Sequence, residues 1–128
     1  MAKICVVVVS GTRERLQMAA MVASVGAVSG HEVLVFLSMN ALACFVKGSS
    51  AKVPNEGVMG ELITQKNVPE FKTLFEQAVV LGDAKIYPCS MAMDVLAVSS
   101  NDLEGYVGEP RGLTKFLDDA QDGQVWTF

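Results

Sequence analysis

The sequence predicts a single α/β domain, built in three layers with helices on both faces of a mainly parallel sheet of about five strands. Two apolar runs that are rich in valine, "KICVVVV" at 3–9 and "EVLVFL" at 32–37, are typical of strands covered on both faces. Apolar positions repeat at helical spacing between these runs, at Leu16, Ala19, Ala20, Ala23 and Ala27. Strands that alternate with helices are joined by crossovers, which makes neighbouring strands parallel.

The helix ends and the long loop of the first half follow from its glycines and its capping residues. Thr12 is the predicted N-cap of the first helix, and Gly30 is its predicted stop. The run "MNALACFVKG" at 39–48 predicts a short helix. Residues 48–66 contain three glycines and little periodicity, which predicts a long loop. Such loops often act as lids or binding loops in compact domains, and a tolerated surface insertion is the equal alternative.

The second half continues the alternation of helices and strands. The predicted elements in chain order are a helix at 71–82 closed by Gly82, a strand at 84–87, a helix at 90–98, a capped turn or single helical turn at 99–104, a short strand at 105–109, a helix around 113–120 and a terminal strand at 124–128. We assign the whole chain, residues 1–128, to one domain, because it shows neither an internal repeat nor a low-complexity tract.

Composition argues against several classes of protein. The chain has 128 residues, of which 51% are apolar, so one domain can bury a core. Its apolar runs are far shorter than the roughly 20 residues of a membrane helix, and no membrane association is expected. The start "MAKICVVVV" leads into "SGTRER" without a small-residue cleavage pattern, so we expect a cytoplasmic protein. A net charge of −4 argues against nucleic acid as a partner.

The motifs predict neither a cofactor nor a metal. The phosphate-binding patterns G-x-G-x-x-G and G-x-x-x-x-G-K-[ST] do not occur, so nucleotide binding has little support. One histidine and three cysteines without a C-x-x-C pair give no zinc signature and no disulfide framework. The histidine, His31, lies in a turn at the amino-terminal edge of the predicted sheet, where we expect it to be solvated.

Cys89 lies where a parallel sheet places its ligands. The segments that follow the first three strands, "SGTRER", "SMNALAC" and "PCSMAMD", meet at the carboxyl edge of the sheet. Cys89 also stands near a predicted helix start, where backbone N–H groups and the helix dipole stabilise a thiolate. A thiolate is the form that attacks sulfur and carbon centres. The alternative is that Cys89 is a small buried hydrophobic residue.

The other two thiols have plainer surroundings. Cys5 lies inside the first predicted strand, which makes it a core residue. Cys44 follows the second strand on a helix of leucine, alanine and phenylalanine, which favours a place in the core or in an interface. Cys44 is nevertheless the best candidate for a second, resolving thiol.

The segment "KIYPCSMAMDVLAVSSNDL" resembles the cysteine segment of the DsrE/DsrF-like family, in which a Cys-Ser-Met-x-Met-Asp run follows a strand. The opening "VVVVSGT…RLQMAAMVASVGAVSGHEVLVFLSMNAL" resembles the first strand, the alanine-rich helix and the second strand of that family. The resemblance spans nearly the whole chain, and the cysteine run is its most specific part. After strand two, this chain has "VFLSMNAL" where many relatives have aromatic residues, so the walls of its pocket differ.

The resemblance implies a flavodoxin-like α/β fold and assembly into homo-oligomers or hetero-oligomers. It implies sulfane sulfur carried as a persulfide or thiosulfonate on Cys89, with TusA-like carriers and rhodaneses as partners. The leading hypothesis is therefore a sulfurtransferase-like sulfur carrier, with a pocket around Cys89 whose candidate residues are Gly11, Thr12, Asn40, Ser90, Met91 and Asp94.

Two alternatives remain, and one expectation about assembly is common to all of them. The chain could be a non-catalytic structural or binding subunit of a sulfur-relay complex, or a thiol redox sensor that uses Cys89 and Cys44. The high apolar content and the helices rich in alanine and methionine predict a homo-oligomer, with a trimer or a multiple of it favoured and a dimer or a tetramer as the alternative.

Overall fold

The computed structural model describes residues 2–48 and 53–128, so residues 49–52 of the predicted 48–66 loop lie outside the described part. The described residues form four strands separated by six α-helices. In chain order the elements are β1 (Lys3–Val8), α1 (Arg13–Val28), β2 (Glu32–Leu37), α2 (Met39–Ala43), α3 (Val58–Gln65), α4 (Phe71–Gly82), β3 (Lys85–Pro88), α5 (Ser90–Leu96), a 3₁₀ turn (Ser100–Asp102), α6 (Leu113–Asp119) and β4 (Gln124–Thr127).

The sheet is parallel throughout and has the strand order β3-β2-β1-β4. Val35 of β2 lies opposite Val6 of β1 on one side and opposite Ile86 of β3 on the other. All three side chains are buried. Central parallel strands are covered on both faces, which explains why β1 and β2 are near-continuous apolar runs. The predicted α/β class with a parallel sheet is confirmed.

Successive side chains of each strand point to opposite faces of the sheet, so an apolar layer lies on each face. On one face α1 packs against β1, β2 and α4. A Cβ added at Gly82 of α4 would lie 2.4 Å from the Cβ of Ala27 in α1, so the absence of a side chain permits this close packing. On the other face the rings of Phe36 in β2 and Phe116 in α6 have centroids 4.9 Å apart. The five residues predicted to form the apolar stripe of α1 are all buried, namely Leu16, Ala19, Ala20, Ala23 and Ala27.

An aromatic cluster ties the chain after α2 to α4. Phe45 is fully buried, and its ring meets the rings of Phe71 and Phe75 edge-on at centroid distances of 5.7 and 5.5 Å. Tyr106 approaches the same ring from another side at 6.4 Å. Edge-to-face pairs of this kind add stability beyond the area that they bury.

The predicted strand at 105–109 is wrong. Gly108 donates its N–H to the carbonyl oxygen of Ile86 at 2.7 Å, and Arg111 donates its N–H to that of Pro88 at 3.0 Å. Pro110 lies between these two donors and has no N–H of its own, so the segment follows β3 without forming a regular ladder. The described sheet consequently has four strands rather than about five.

Two expectations between β2 and α4 also need correction. The helix predicted at 39–48 ends at Ala43, because the chain then turns to bury Phe45 and to form an antiparallel bridge between Val46 and Leu103. The loop predicted at 48–66 contains the helix α3, whose N-cap is Gly57. Sequence reasoning missed α3 because the helix has only eight residues within a segment rich in glycine, although Val58, Met59, Leu62 and Ile63 recur at helical spacing.

The remaining predicted elements are confirmed, with ends shifted by a few residues. The capped turn at 99–104 is a 3₁₀ turn in which Ser99 and Asp102 form a capping box. The chain leaves α4 at Asp83, which has a left-handed backbone with a φ of 57°. Within the described ranges, no helix combines the length and the apolar character that crossing a bilayer requires.

Candidate functional site

Cys89 joins the end of β3 to the start of α5, where it is the N-cap residue. Its N–H donates to the carbonyl oxygen of Leu37 at 2.8 Å, and its own carbonyl oxygen accepts from the N–H of Met93 at 3.0 Å. The residue is 5% exposed. The structure thus places this thiol at the carboxyl edge of the sheet, on a backbone that is held at both its donor and its acceptor.

A second contact holds the chain beside Cys89. Cys89 and Arg111 form an isolated parallel bridge, in which Arg111 donates to Pro88 and accepts from the N–H of Ser90 at 3.1 Å. The N–H of Ser90 is therefore engaged by a carbonyl oxygen. The next two N–H groups of α5, at Met91 and Ala92, precede the first intrahelical donor, and the side chain of Cys89 makes no capping hydrogen bond to them.

A cavity of about 290 Å³ lies at the carboxyl ends of β1 and β2. Its described lining residues are Gly11, Thr12, Asn40, Ala43, Cys44, Val53 and Pro54. Three of the predicted pocket residues therefore meet around one cavity, together with the predicted second thiol. Cys89 is not among the residues that line this cavity. The cysteine in the cavity wall is Cys44.

Close packing between two loops shapes one wall of this cavity. A Cβ added at Gly11 would lie 2.9 Å from the carbonyl oxygen of Asn40, so the loop after β1 approaches the start of α2 only because Gly11 has no side chain. Thr12, the predicted N-cap of α1, occupies that position, but its side chain makes no capping hydrogen bond. Its Oγ1 is buried and finds no hydrogen-bond partner among the described residues.

Cys44 is a half-buried thiol with two carbonyl oxygens nearby. Its Sγ lies 3.7 Å from the carbonyl oxygen of Asn40 and 4.0 Å from that of Gly11. Burial raises the pKa of Cys44, while the charges of Lys72 and Arg13 oppose that shift. A raised pKa favours the neutral thiol, which can donate weakly to these oxygens.

The other predicted site residues lie on the outer side of α5. Ser90 and Asp94 are exposed, and Met91 has half of its surface exposed at 49%. The carbonyl oxygen of Asp94 accepts from Ala97 at 3.2 Å at the end of the helix. The structure thus places Ser90, Met91 and Asp94 beside Cys89 in sequence and on one short helix, and places Gly11, Thr12 and Asn40 at the cavity of Cys44.

The backbone next to this edge is strained at Met39. The residue follows β2 and has a φ of 50°, in the left-handed region that side chains with a Cβ disfavour. Its side chain is 56% exposed, so packing of that side chain does not fix the conformation. Strained residues of this kind concentrate at functional sites.

Sequence reasoning missed Glu14, whose carboxylate binds the segment that forms one wall of the cavity. Residues 53–65, which we call the strap, run from Val53 and Pro54 in the cavity wall through α3. The Glu14 carboxylate accepts three backbone N–H groups of the strap, and Arg13 donates its backbone N–H to the carbonyl oxygen of Pro54 at 2.9 Å. Hydrogen bonds from the backbone, foremost that of Glu56, lower the pKa of Glu14. The acidic residue in the first turn of α1 was the available signal, but no local pattern indicated its partners.

Sequence reasoning also missed Arg111. Its guanidinium carbon lies 3.7 Å from the centroid of the Tyr87 ring, a cation–π contact two residues before Cys89. The same guanidinium forms an ion pair with Asp119 of α6. The hydrogen bond from Lys115 is the main cause that lowers the pKa of Asp119, and Arg111 adds to it.

Two further residues lie away from the site. Cys5 is fully buried in the sheet, as predicted, and burial raises the pKa of its thiol. His31 lies at the amino-terminal edge and is half-buried rather than freely solvated, because its Nδ1 accepts the N–H of Ala2 at 3.0 Å. All three cysteines are free.

Comparison with known proteins agrees with the fold and gives the family. The chain is similar in structure to the YchN protein from E. coli, with 18% identity, full coverage of both chains and a TM-score of 0.68. It is also similar to MTH1491, a protein of unknown function from Methanobacterium thermoautotrophicum, with 8% identity, full coverage of both chains and a TM-score of 0.60. A comparison with curated protein sequences gives no match. The model of the DsrE/DsrF/DrsH-like family matches residues 49–128, more than half of the chain, and the chain therefore belongs to that family.

Proposed function

We propose that this chain is a sulfur carrier that holds sulfane sulfur on Cys89 and passes it to a thiol of a partner protein. Family membership suggests a role in sulfur relay. The observation that supports the assignment to Cys89 is its position as N-cap of α5 at the carboxyl edge of the sheet, where the first N–H groups of a helix have no intrahelical acceptors.

The proposed chemistry is thiol–disulfide exchange and needs no cofactor. The Cys89 thiolate attacks the outer sulfur of thiosulfate, the S–S bond of the donor breaks, and sulfite leaves with the electron pair. With tetrathionate, the thiolate attacks an inner sulfur and thiosulfate leaves, so that Cys89 carries a thiosulfonate group. An acceptor thiolate then attacks the carried sulfur, and Cys89 leaves as a thiolate.

Burial sets a condition on this proposal. At 5% exposure, the sulfur of Cys89 is reached only if a small donor enters the edge or the neighbouring segments move. We expect Cys89 nonetheless to be the most reactive of the three thiols, because it stands at a helix start on the carboxyl edge of the sheet, whereas burial raises the pKa values of Cys5 and Cys44 and favours their neutral form. Brief labelling with limiting iodoacetamide and peptide mass mapping measures this order, and faster labelling of Cys5 or Cys44 contradicts it.

Intact-mass spectrometry tests the carrier function directly. Incubation with polysulfide, thiosulfate or tetrathionate should add one sulfur atom or one thiosulfonate group, and a reductant should remove it. Cys89→Ser should abolish loading while the fold is kept, and Cys44→Ser is the matched control that should load normally. Equal loading of the wild type and of Cys89→Ser would overturn the proposal.

The partners and the compartment form part of the same proposal. TusA-like or rhodanese-type sulfur carriers are the partners that fit an exchange between thiols. The three cysteines are free, and free thiols persist in the reducing cytoplasm, where we place the relay. The non-catalytic subunit is the alternative function, and absence of loading by all three donors on a demonstrably reduced Cys89 would favour it.

A further inference from the structure

We propose that Arg111 is a positioning residue for Cys89, which it serves by fixing the peptide groups on either side of the thiol. This inference rests on the proposed function, because Cys89 is taken as the reacting residue. Arg111 is remote from Cys89 in sequence, and no sequence motif joins the two.

The first argument is the geometry of the main chain. Arg111 donates its N–H to the carbonyl oxygen of Pro88 at 3.0 Å, and its carbonyl oxygen accepts the N–H of Ser90 at 3.1 Å. These two bonds involve the residue before Cys89 and the residue after it. Cys89 itself is bonded on the opposite side, through its N–H to Leu37. Three bonded backbone groups, the Pro88 carbonyl, the Cys89 N–H and the Ser90 N–H, thus fix the direction of the Cα–Cβ bond of Cys89.

The second argument is that the Arg111 side chain has fixed partners of its own. The guanidinium carbon lies 3.7 Å from the Tyr87 ring centroid, and the guanidinium is paired with Asp119. The side chains of Arg111 and Asp119 are only 20% and 23% exposed, so water and salt screen this pair less than a surface pair. A planar guanidinium can stack and pair at the same time.

The consequence is a mechanical link from α6 to the thiol. Asp119 belongs to α6 and Tyr87 to β3, so the Arg111 side chain joins these two elements while its main chain holds the turn at Cys89. Loss of the side chain removes its contact with Tyr87 and its pair with Asp119, so that only the two backbone bonds hold residue 111 against β3. The orientation of a nucleophile matters steeply, since a misplacement of about 1 Å costs on the order of a hundredfold in rate.

The chain offers a matched control. Lys115 also pairs with Asp119, at 3.1 Å, and its side chain is 60% exposed. It belongs to α6 and is not one of the residues described in contact with Tyr87 or with the turn at Cys89. A Lys115→Gln variant therefore perturbs the same carboxylate but leaves Arg111 and its contact with Tyr87 in place.

Loading rates of Cys89 with excess tetrathionate, followed by intact mass, test the proposal. Arg111→Leu should load about tenfold more slowly at saturating donor. Arg111→Lys should recover part of that loss, because it keeps a charge for Asp119 and for the Tyr87 ring, which a purely steric role would not predict. Lys115→Gln should load at the wild-type rate. Loading of Arg111→Leu at the wild-type rate, equal loss in Arg111→Lys, or equal loss in Lys115→Gln would each overturn it.

Failure of the proposed function is recognised separately. If the wild type itself does not load, the carrier function is wrong, and the link is then judged from the iodoacetamide labelling rate of Cys89. Iodoacetamide reacts from solution, so its rate reports access to the thiol, whereas loading at saturating donor reports the orientation of the thiol towards a bound donor. Loosening of residue 111 should uncover this nearly buried thiol and make its labelling at least about threefold faster in Arg111→Leu than in Lys115→Gln. Equal labelling of the two variants would overturn the role of Arg111.

Discussion

The carboxylate of Glu14 accepts the backbone N–H of Gly57 at 2.7 Å. It also accepts the N–H groups of Glu56 at 2.8 Å and of Gly60 at 3.1 Å. These donors lie at the start of α3, where a helix leaves N–H groups without intrahelical acceptors. A side chain from α1 thus caps a helix that lies far along the chain, and this cap holds the strap over the cavity of Cys44.

The first prediction concerns the pH dependence of stability. Because hydrogen bonds lower the pKa of Glu14 in the folded protein, its contribution to stability is present above the unfolded pKa of about 4.3 and is lost as the pH falls through the lower folded value. The unfolding free energy of the wild type should therefore exceed that of Glu14→Gln at neutral pH, and the difference should shrink below pH 4. Urea unfolding from pH 7 to pH 3 measures both curves.

A carboxylate on the same strap provides the control for this experiment. Glu61 is an exposed residue in the first turn of α3. Glu61→Gln should follow the wild-type curve closely. A constant difference between the wild type and Glu14→Gln at every pH would show that the ionised carboxylate is not what holds the strap.

The second prediction concerns access to Cys44. Glu14→Ala removes the acceptor of three N–H groups, so the strap should open locally and Val53 and Pro54 should leave the cavity wall more often. Labelling of Cys44 by iodoacetamide should become faster by about threefold or more. Arg15→Gln is the matched variant, since Arg15 pairs with Glu56 of the strap only at the surface, and it should change the rate little. An unchanged Cys44 rate in Glu14→Ala would refute the strap as a cover.

The third prediction concerns the aromatic cluster. Phe45→Ala should lower the unfolding free energy by about 3–5 kcal/mol, because it removes a fully buried ring and its contacts with Phe71, Phe75 and Tyr106. Val80→Ala is the control, since Val80 is 72% exposed, and it should stay within about 0.5 kcal/mol of the wild type. Denaturant titration measures both, and a loss below about 1 kcal/mol for Phe45→Ala would contradict the packing described.

The parts of the fold that were predictable are those in which local pattern and burial agree. β1 and β2 are central strands, so both of their faces are apolar, and each forms a run that a surface segment would not have. α1 shows its alanine stripe because that stripe packs on the sheet and on α4. The position of Cys89 followed in the same way, since the end of a parallel strand is visible in sequence.

The parts that were not predictable depend on contacts between distant residues. α3 exposes Val58, Met59 and Leu62, so it carries no buried stripe, and Glu14 holds it from another helix. The segment that contains Arg111 is bound to β3 by separate backbone hydrogen bonds rather than by a regular ladder. Its sequence therefore lacks the alternation of apolar and polar residues that marks a strand. The sequence likewise placed two thiols at one edge, but the assignment of Cys44 to the cavity depends on which strap residues cover it.

The last prediction concerns assembly. The four residues of β4, at the edge of the sheet, are all exposed, and Val125 and Trp126, which point to opposite faces, are 52% and 49% exposed. Parallel strands are normally covered on both faces, and an open apolar edge favours association with another chain. We therefore expect a homo-oligomer in which β4 is covered by a second copy. Light scattering at micromolar concentration should show the assembly, and Val125→Glu should dissociate it.

Val80→Glu is the control, because it places the same charge on an exposed position of α4 and should leave the assembly intact. A monomeric wild type would refute the expectation, and equal dissociation by both variants would remove β4 as the interface.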